Sequence, residues 1–280
     1  MRVASLHIYP VKAMRGLAAE AADVERRGLA GDRRMMVVDE AGVFVTQREV
    51  PALATIAVEE DGHGTLLRGP SGMIRLFPPR GRHRRQVRVW GDVVDAVSGD
   101  QATDEALSAW LGKRVALVHM DDDTHRPANP AWSASGDETS FADGFPVLVV
   151  GTASLDALNG RIAARGCAPV PMARFRPNVV VETDEPFAED GWRRIAVGDV
   201  ELDLVKPCQR CVVTTTDQES GRVAADNEPL ATLAGFRRSR DRRVAGVLFG
   251  WNAIPRAPGG IHVGQAVEVL EARPERWPVG

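Results

Sequence analysis

The sequence predicts a mainly β protein of the α+β class, built as a barrel-like antiparallel sheet with few packed helices outside it. Three observations carry that reading. Short alternating apolar segments fill most of the chain, separated by turns rich in glycine and aspartate. Only three stretches carry apolar residues at helical spacing. The segment 119–140 loses periodicity and holds Asp121-Asp122-Asp123, which divides the chain into two domains, 1–119 and 120–272, with a tail at 273–280.

The elements follow in order. Residues 3–9 alternate, with Val3, Leu6 and Ile8 apolar. Segments 34–39 and 43–46 flank Glu40-Ala41-Gly42 and read as a hairpin, and 54–59 and 65–68 flank a second turn at 60–64. A strand at 73–77 leads into 78–85, a basic loop by its proline and glycine content. Segments 87–89 and 93–97 flank Trp90-Gly91-Asp92. Asp100 caps a helix that Gly112 stops, and Thr152 caps another that Gly166 stops. A short third helix is expected within 229–236. Strands are expected at 147–150, 178–182, 194–197, 200–205, 212–216, 247–252 and 267–270.

With 280 residues the chain is ample for a buried core, and a net charge of -3 argues against nucleic acid as the main partner. No apolar run reaches the roughly 20 residues that a membrane span needs, so no membrane partner is expected. Three cysteines, Cys167, Cys208 and Cys211, cannot make a disulfide framework. The opening residues do not read as a signal peptide, and a reducing cytoplasm is the expected location.

Chemistry concentrates in Lys206-Pro207-Cys208-Gln209-Arg210-Cys211. A thiolate is a soft ligand and a nucleophile, and neighbouring cations lower its pKa. The Cys-x-x-Cys spacing leaves several readings open: half a zinc site completed by His119, His125 or His262, a redox dithiol, or two small residues filling a core. Against a dithiol, the pair precedes the β-branched run 212–216, which reads as a strand rather than a helix. Arg176 in Phe175-Arg176-Pro177-Asn178 and Arg33 in Gly31-Asp32-Arg33 carry guanidinium forks suited to phosphate or planar polar rings. Lys12 is one of three lysines among 35 basic residues, and Asp143 either caps a turn or accepts bonds from a ligand. The basic runs 80–85 and 237–243 are expected on exposed loops, where the charge would also suit docking of an electron donor.

Several segments, in this order, resemble the MOSC family with an N-terminal β-barrel extension, which includes amidoxime-reducing proteins and bacterial relatives. They are Tyr9-Pro10-Val11-Lys12, Gly31-Asp32-Arg33, Val45-Thr46-Gln47-Arg48, Phe141-Ala142-Asp143-Gly144-Phe145-Pro146, Phe175-Arg176-Pro177-Asn178 and the cysteine segment. The resemblance implies a molybdenum cofactor (Mo-molybdopterin), with Cys211 as the metal-ligating and catalytic thiolate and Cys208 as its neighbour. It further implies that Lys12, Arg33, Asp143, Arg176, Asn178, Gln209 and Arg210 line the cofactor. The implied activity is reduction of small N-hydroxylated or N-oxygenated compounds by oxygen-atom transfer. Electrons would come from a separate donor protein of ferredoxin, flavodoxin or cytochrome type with its reductase, since no cluster-binding cysteines follow the barrel. Storage of the cofactor, or carriage of sulfur on Cys211 as a persulfide, is the alternative. Ala13 departs from the family pattern, where eukaryotic relatives carry serine.

Overall fold

The computed structural model describes residues 1–62, 64–77 and 83–280, so the turn residue His63 and most of the expected basic loop, at 78–82, lie outside the described residues. The protein is mainly β with three α-helices among the described residues. Its largest sheet has eight strands in the order Val267–Ala272, Trp192–Val197, Val200–Gln209, Leu248–Pro255, Val147–Gly151, Val179–Glu182, Arg2–Ile8 and Leu17–Ala19. The first two strands of the chain therefore complete a sheet whose other six strands come from the second half.

One feature departs from the all-antiparallel expectation. Val147–Gly151 and Val179–Glu182 pair in parallel. A parallel pair needs a crossover, and the helix Thr152–Ala164 supplies it. That helix starts one residue earlier than expected: Gly151 is its cap, and the Thr152 hydroxyl, now inside the first turn, accepts from Thr183 N at 3.1 Å. The helix Gln101–Leu111 starts and stops as expected, with Asp100 accepting from Thr103 N at 2.9 Å and Gly112 in the left-handed region at φ 62°.

A four-stranded sheet in the N-terminal half runs Met35–Asp39, Val115–His119, Asp92–Ser98 and Arg84–Val89. Arg84 and Arg85, expected in a loop, belong to its edge strand. Arg84 is held there by Asp95 at 2.6 Å and by Asp121 at 2.6 Å. Segment 43–46 forms no full strand: Val43 and Phe44 make single bridges, to Arg88 and Val38.

The largest correction concerns 212–216. It is not a strand but a 3-10 turn, Val212–Thr215. The Thr214 hydroxyl donates to Cys211 O at 2.9 Å and the Thr215 hydroxyl to Val212 O at 2.7 Å. These local bonds tie the carbonyls back on themselves and compete with a sheet ladder. The cysteine pair therefore lies where a strand gives way to a turn.

The core has one apolar cluster around the eight-stranded sheet, with Trp251 fully buried among Leu202, Val149 and Ile195. Two others fill the N-terminal half, and one packs helix Thr152–Ala164 against the sheet through Phe175 and Phe249. Truncating a residue such as Trp251 to alanine would cost about 3–5 kcal/mol.

Candidate functional site

A cleft of about 150 Å³ forms where segments far apart in sequence converge. The N-terminal half contributes Lys12, Ala13, Arg33, Phe44, Gln47, Arg48 and Trp90, and the second half contributes Asp143, Arg174, Arg176, Asn178 and residues 208–211. The eight residues singled out from sequence, Lys12, Arg33, Asp143, Arg176, Asn178, Gln209, Arg210 and Cys211, all line it.

Strand Val200–Gln209 delivers the cysteines. Its register to Leu248–Pro255 is interrupted near the end, and Arg210 N donates to Val247 O at 2.9 Å. The pair then diverges. Cys208 packs beside the cluster holding Phe175 and Phe249. Burial pushes its thiol up, with Asp143 and Cys211 acting in the same direction, despite Arg210 and Lys206 nearby. The expectation that flanking cations lower the thiol pKa therefore fails at Cys208, because desolvation outweighs them. Cys211, one residue past the strand's last bond, turns toward the cleft, and Arg48 Nη2 donates to its sulfur at 3.5 Å. Among the described residues no group of three or more His, Cys, Asp or Glu side chains is arranged to hold a metal, so the zinc reading finds no ligand set there.

One end of the cleft is a buried stack of cations. The Tyr9 ring lies between the Arg33 and Arg176 guanidiniums, at 4.5 and 4.2 Å. Tyr9 donates its hydroxyl proton to Pro177 O at 3.0 Å, and burial pushes its pKa up to about 12. Arg33 pairs with the fully buried Asp32 at 2.5 Å. Asn178 is 1% exposed, and its amide donates to Asp32 at 3.0 Å and accepts from Leu148 N at 3.1 Å. With those groups engaged, Asn178 holds Arg33 and the strand in position.

Arg176 and Arg210 differ from Arg33, since neither has a carboxylate partner among the described residues. Arg176 donates to Gln218 Oε1 at 2.8 Å, and Arg210 to the carbonyls of Phe249 and Phe175 at 2.8 and 2.9 Å. Each retains a buried Nη2 with no hydrogen-bond partner among the described residues. Burial lowers the Arg176 pKa to about 10, with Arg33 adding repulsion. Buried donors without partners are rare because each costs free energy, and with Arg174 Nε there are three in this cleft among the described residues, an arrangement suited to an anion.

The other end carries Asp143. Its side chain opens to the cleft at 71% exposure, while Lys12 pairs with it at 2.5 Å and Trp90 Nε1 donates to it at 3.3 Å. The protein crowded around the cleft raises the Asp143 pKa, but Lys12 and Arg33 outweigh this and hold it well below the usual carboxylate range. Lys12 is buried, which lowers its own pKa against the pull of Asp143, and it also donates to Phe141 O at 2.7 Å. Gln209 donates to Ala245 O and accepts from Lys206 Nζ at 3.4 Å.

Backbone strain gathers at the same cleft. Among the described residues six non-glycine positions have positive φ, and four of them, Ala13, Arg33, Trp90 and Arg176, line it. Each such position costs on the order of 1–3 kcal/mol and persists only where the surroundings enforce it.

Sequence reasoning assigned no role to Arg48, Trp90 or Arg174. The Thr46-Gln47-Arg48 motif was the available signal for Arg48. For Trp90, nothing in a Trp-Gly-Asp turn indicates that it reaches the cleft. Arg174 pairs with Asp217 at 3.4 Å and keeps its buried Nε unpartnered among the described residues.

Residues 136–268 match the MOSC domain family, and residues 1–116 match the MOSC N-terminal beta barrel domain family. Mitochondrial amidoxime-reducing component 1 of Homo sapiens is 33% identical over 284 residues, spanning 96% of this chain and 82% of that protein. The Danio rerio protein of the same name is 33% identical over 278 residues, spanning 95% of this chain and 83% of its own length. A molybdenum cofactor sulfurase of Oryza sativa subsp. japonica is 27% identical over 275 residues, spanning 89% of this chain but 32% of that protein. With this architecture matched along nearly its whole length, the chain belongs to the MOSC family, in the group that joins a MOSC domain to an N-terminal MOSC β-barrel domain.

Proposed function

We propose that the protein is a molybdenum-cofactor-dependent oxidoreductase that reduces small N-hydroxylated or N-oxygenated compounds, with electrons from a separate donor protein. The observation that carries this reading is a single cleft lined by three arginines, Arg174, Arg176 and Arg210, that keep unpartnered donors among the described residues, together with Cys211. That donor set fits the cofactor: cations for a phosphate, amide and carboxylate groups for a pterin edge, a soft sulfur for a soft metal. Arg176 and Arg210 would hold the anionic group, Asp143 and Gln209 would face the pterin, and Cys211 would ligate the metal. When bound, the cofactor supplies two-electron oxygen-atom transfer.

The chain's own residues do the rest. Lys12 keeps Asp143 ionised, so it accepts hydrogen bonds and does not donate a proton. Asn178 and Asp32 fix Arg33. Burial pushes the Cys208 thiol up, which fits its expected place as a neighbour of the ligand Cys211 rather than a ligand itself. The names of the relatives support both the reductase reading and the sulfur-carrying alternative, and a cytoplasmic setting and the 1–119 and 120–272 division belong to the same proposal.

Protein from a host competent to make the cofactor should contain molybdenum and pterin, and should reduce benzamidoxime with an artificial donor. Cofactor without turnover under any donor would favour storage, and sulfane sulfur on Cys211 would favour carriage. Protein holding neither molybdenum nor pterin would overturn the reading.

A further inference from the structure

Arg48 stands apart from the other cations of the cleft. It is exposed, its guanidinium lies 4.5 Å over the Trp90 ring, and its Nη2 is 3.5 Å from Cys211 Sγ. Among the described residues it has no carboxylate partner. Trp90 is fixed from both sides, by Phe44 at 4.9 Å and by Arg48, and its Nε1 donates to Asp143. Trp90 itself lines the cleft from a strained backbone position, φ 56°.

The charge balance at this mouth is one-sided. Among the described residues Asp143 is the one carboxylate lining the cleft, and Lys12 and Trp90 already engage it. A cationic substrate therefore meets no free carboxylate, while an anionic one meets a guanidinium already desolvated on one face by an aromatic ring. Arginine in such a position pairs with carboxylates through two parallel bonds, and like-charge contact at a mouth selects against the wrong ligand.

We infer that Arg48 is a specificity-determining residue that selects acidic N-oxygenated substrates, those bearing a carboxylate or similar anion, over neutral and cationic ones. The inference rests on the reductase reading, and its test separates the two. The probes are 4-carboxybenzamidoxime and its uncharged isostere 4-carbamoylbenzamidoxime, compared on wild-type protein and on Arg48→Gln and Arg48→Lys, with metal and pterin content measured for each. Turnover of either probe by cofactor-loaded wild type keeps the reductase reading, whatever the preference.

The wild type should favour the carboxylated probe in kcat/KM, mainly through KM. In Arg48→Gln that ratio should fall about tenfold, the size of one charge-assisted contact at an exposed site. Arg48→Lys should restore part of it, since it keeps charge but loses the fork. Calorimetry of the products, 4-carboxybenzamidine and 4-carbamoylbenzamidine, should give the same order without turnover. No preference in the wild type overturns the inference. So does an equal loss on both probes, or loss of the cofactor itself in Arg48→Gln, which would make Arg48 part of the cofactor grip.

Discussion

Two groups of arginines in this molecule, one fully buried and one half-buried at the cleft, differ in every partner. Arg237 is 4% exposed and meets Asp190 in a fork, at 2.7 and 3.0 Å, while Trp251 Nε1 donates to the same carboxylate at 2.8 Å. Arg27 is matched in the same way by Glu138 at 2.8 Å. Arg176 and Arg210, in the cleft, meet carbonyls, a glutamine and aromatic faces but no carboxylate among the described residues. The first group closes its own charge and holds the fold. The second leaves charge open, which costs stability and is explained only by something that binds.

The sharpest break in this comparison falls on the cysteines. Cys211→Ala should abolish reduction and strip the metal, while Cys208→Ala should keep most of both, read by metal analysis beside the benzamidoxime assay. Equal loss in the two variants would reassign the ligand. Next, Asp190→Asn should lower unfolding stability by about 3–5 kcal/mol in urea, because it leaves Arg237 buried and unpaired. Arg176→Gln should change stability by less than about 1 kcal/mol, because an incompletely partnered charge leaves with its bonds, yet it should sharply reduce retained pterin. A large loss of stability in Arg176→Gln would erase the distinction between the groups.

The smallest effect tests the closed group by pH. Burial raises the Glu138 pKa, but Arg27, Arg26 and His125 more than offset it and bring it from 4.5 to about 2. Its folded pKa lies below the unfolded one. The stability it contributes is therefore complete above pH 4.5 and is lost as pH falls toward 2. Glu138→Gln should flatten that part of the acid-unfolding curve, and an unchanged slope would show that Glu138 contributes nothing there.

Sequence alone carried the strands of the large sheet other than its edge strand Leu17–Ala19, and the helix from Asp100 to Gly112, because alternation and caps are local signals. It failed at 212–216, where β-branched composition points to a strand and threonine hydroxyls bonding back to the chain decide for a turn. It failed at Arg84 and Arg85, which join an edge strand by pairing with Val97 and Ala96, and where Arg84 is held by Asp95 and by Asp121, outside its local window. The site residues were legible as an ordered set of motifs, and the structure gathers them into one cleft. Arg48 and Trp90 were not assigned, because their roles arise from a stack between two segments some forty positions apart.

The position of Arg2–Ile8 between Val179–Glu182 and Leu17–Ala19 has a consequence for the order of assembly. Arg2–Ile8 can pair with Leu17–Ala19 at once, but with Val179–Glu182 only after the ribosome has passed residue 182. Lys12 and Arg33 can share a cleft with Cys211 only once residue 211 has itself been made, so any group held by all three is gathered late, after both halves are in place.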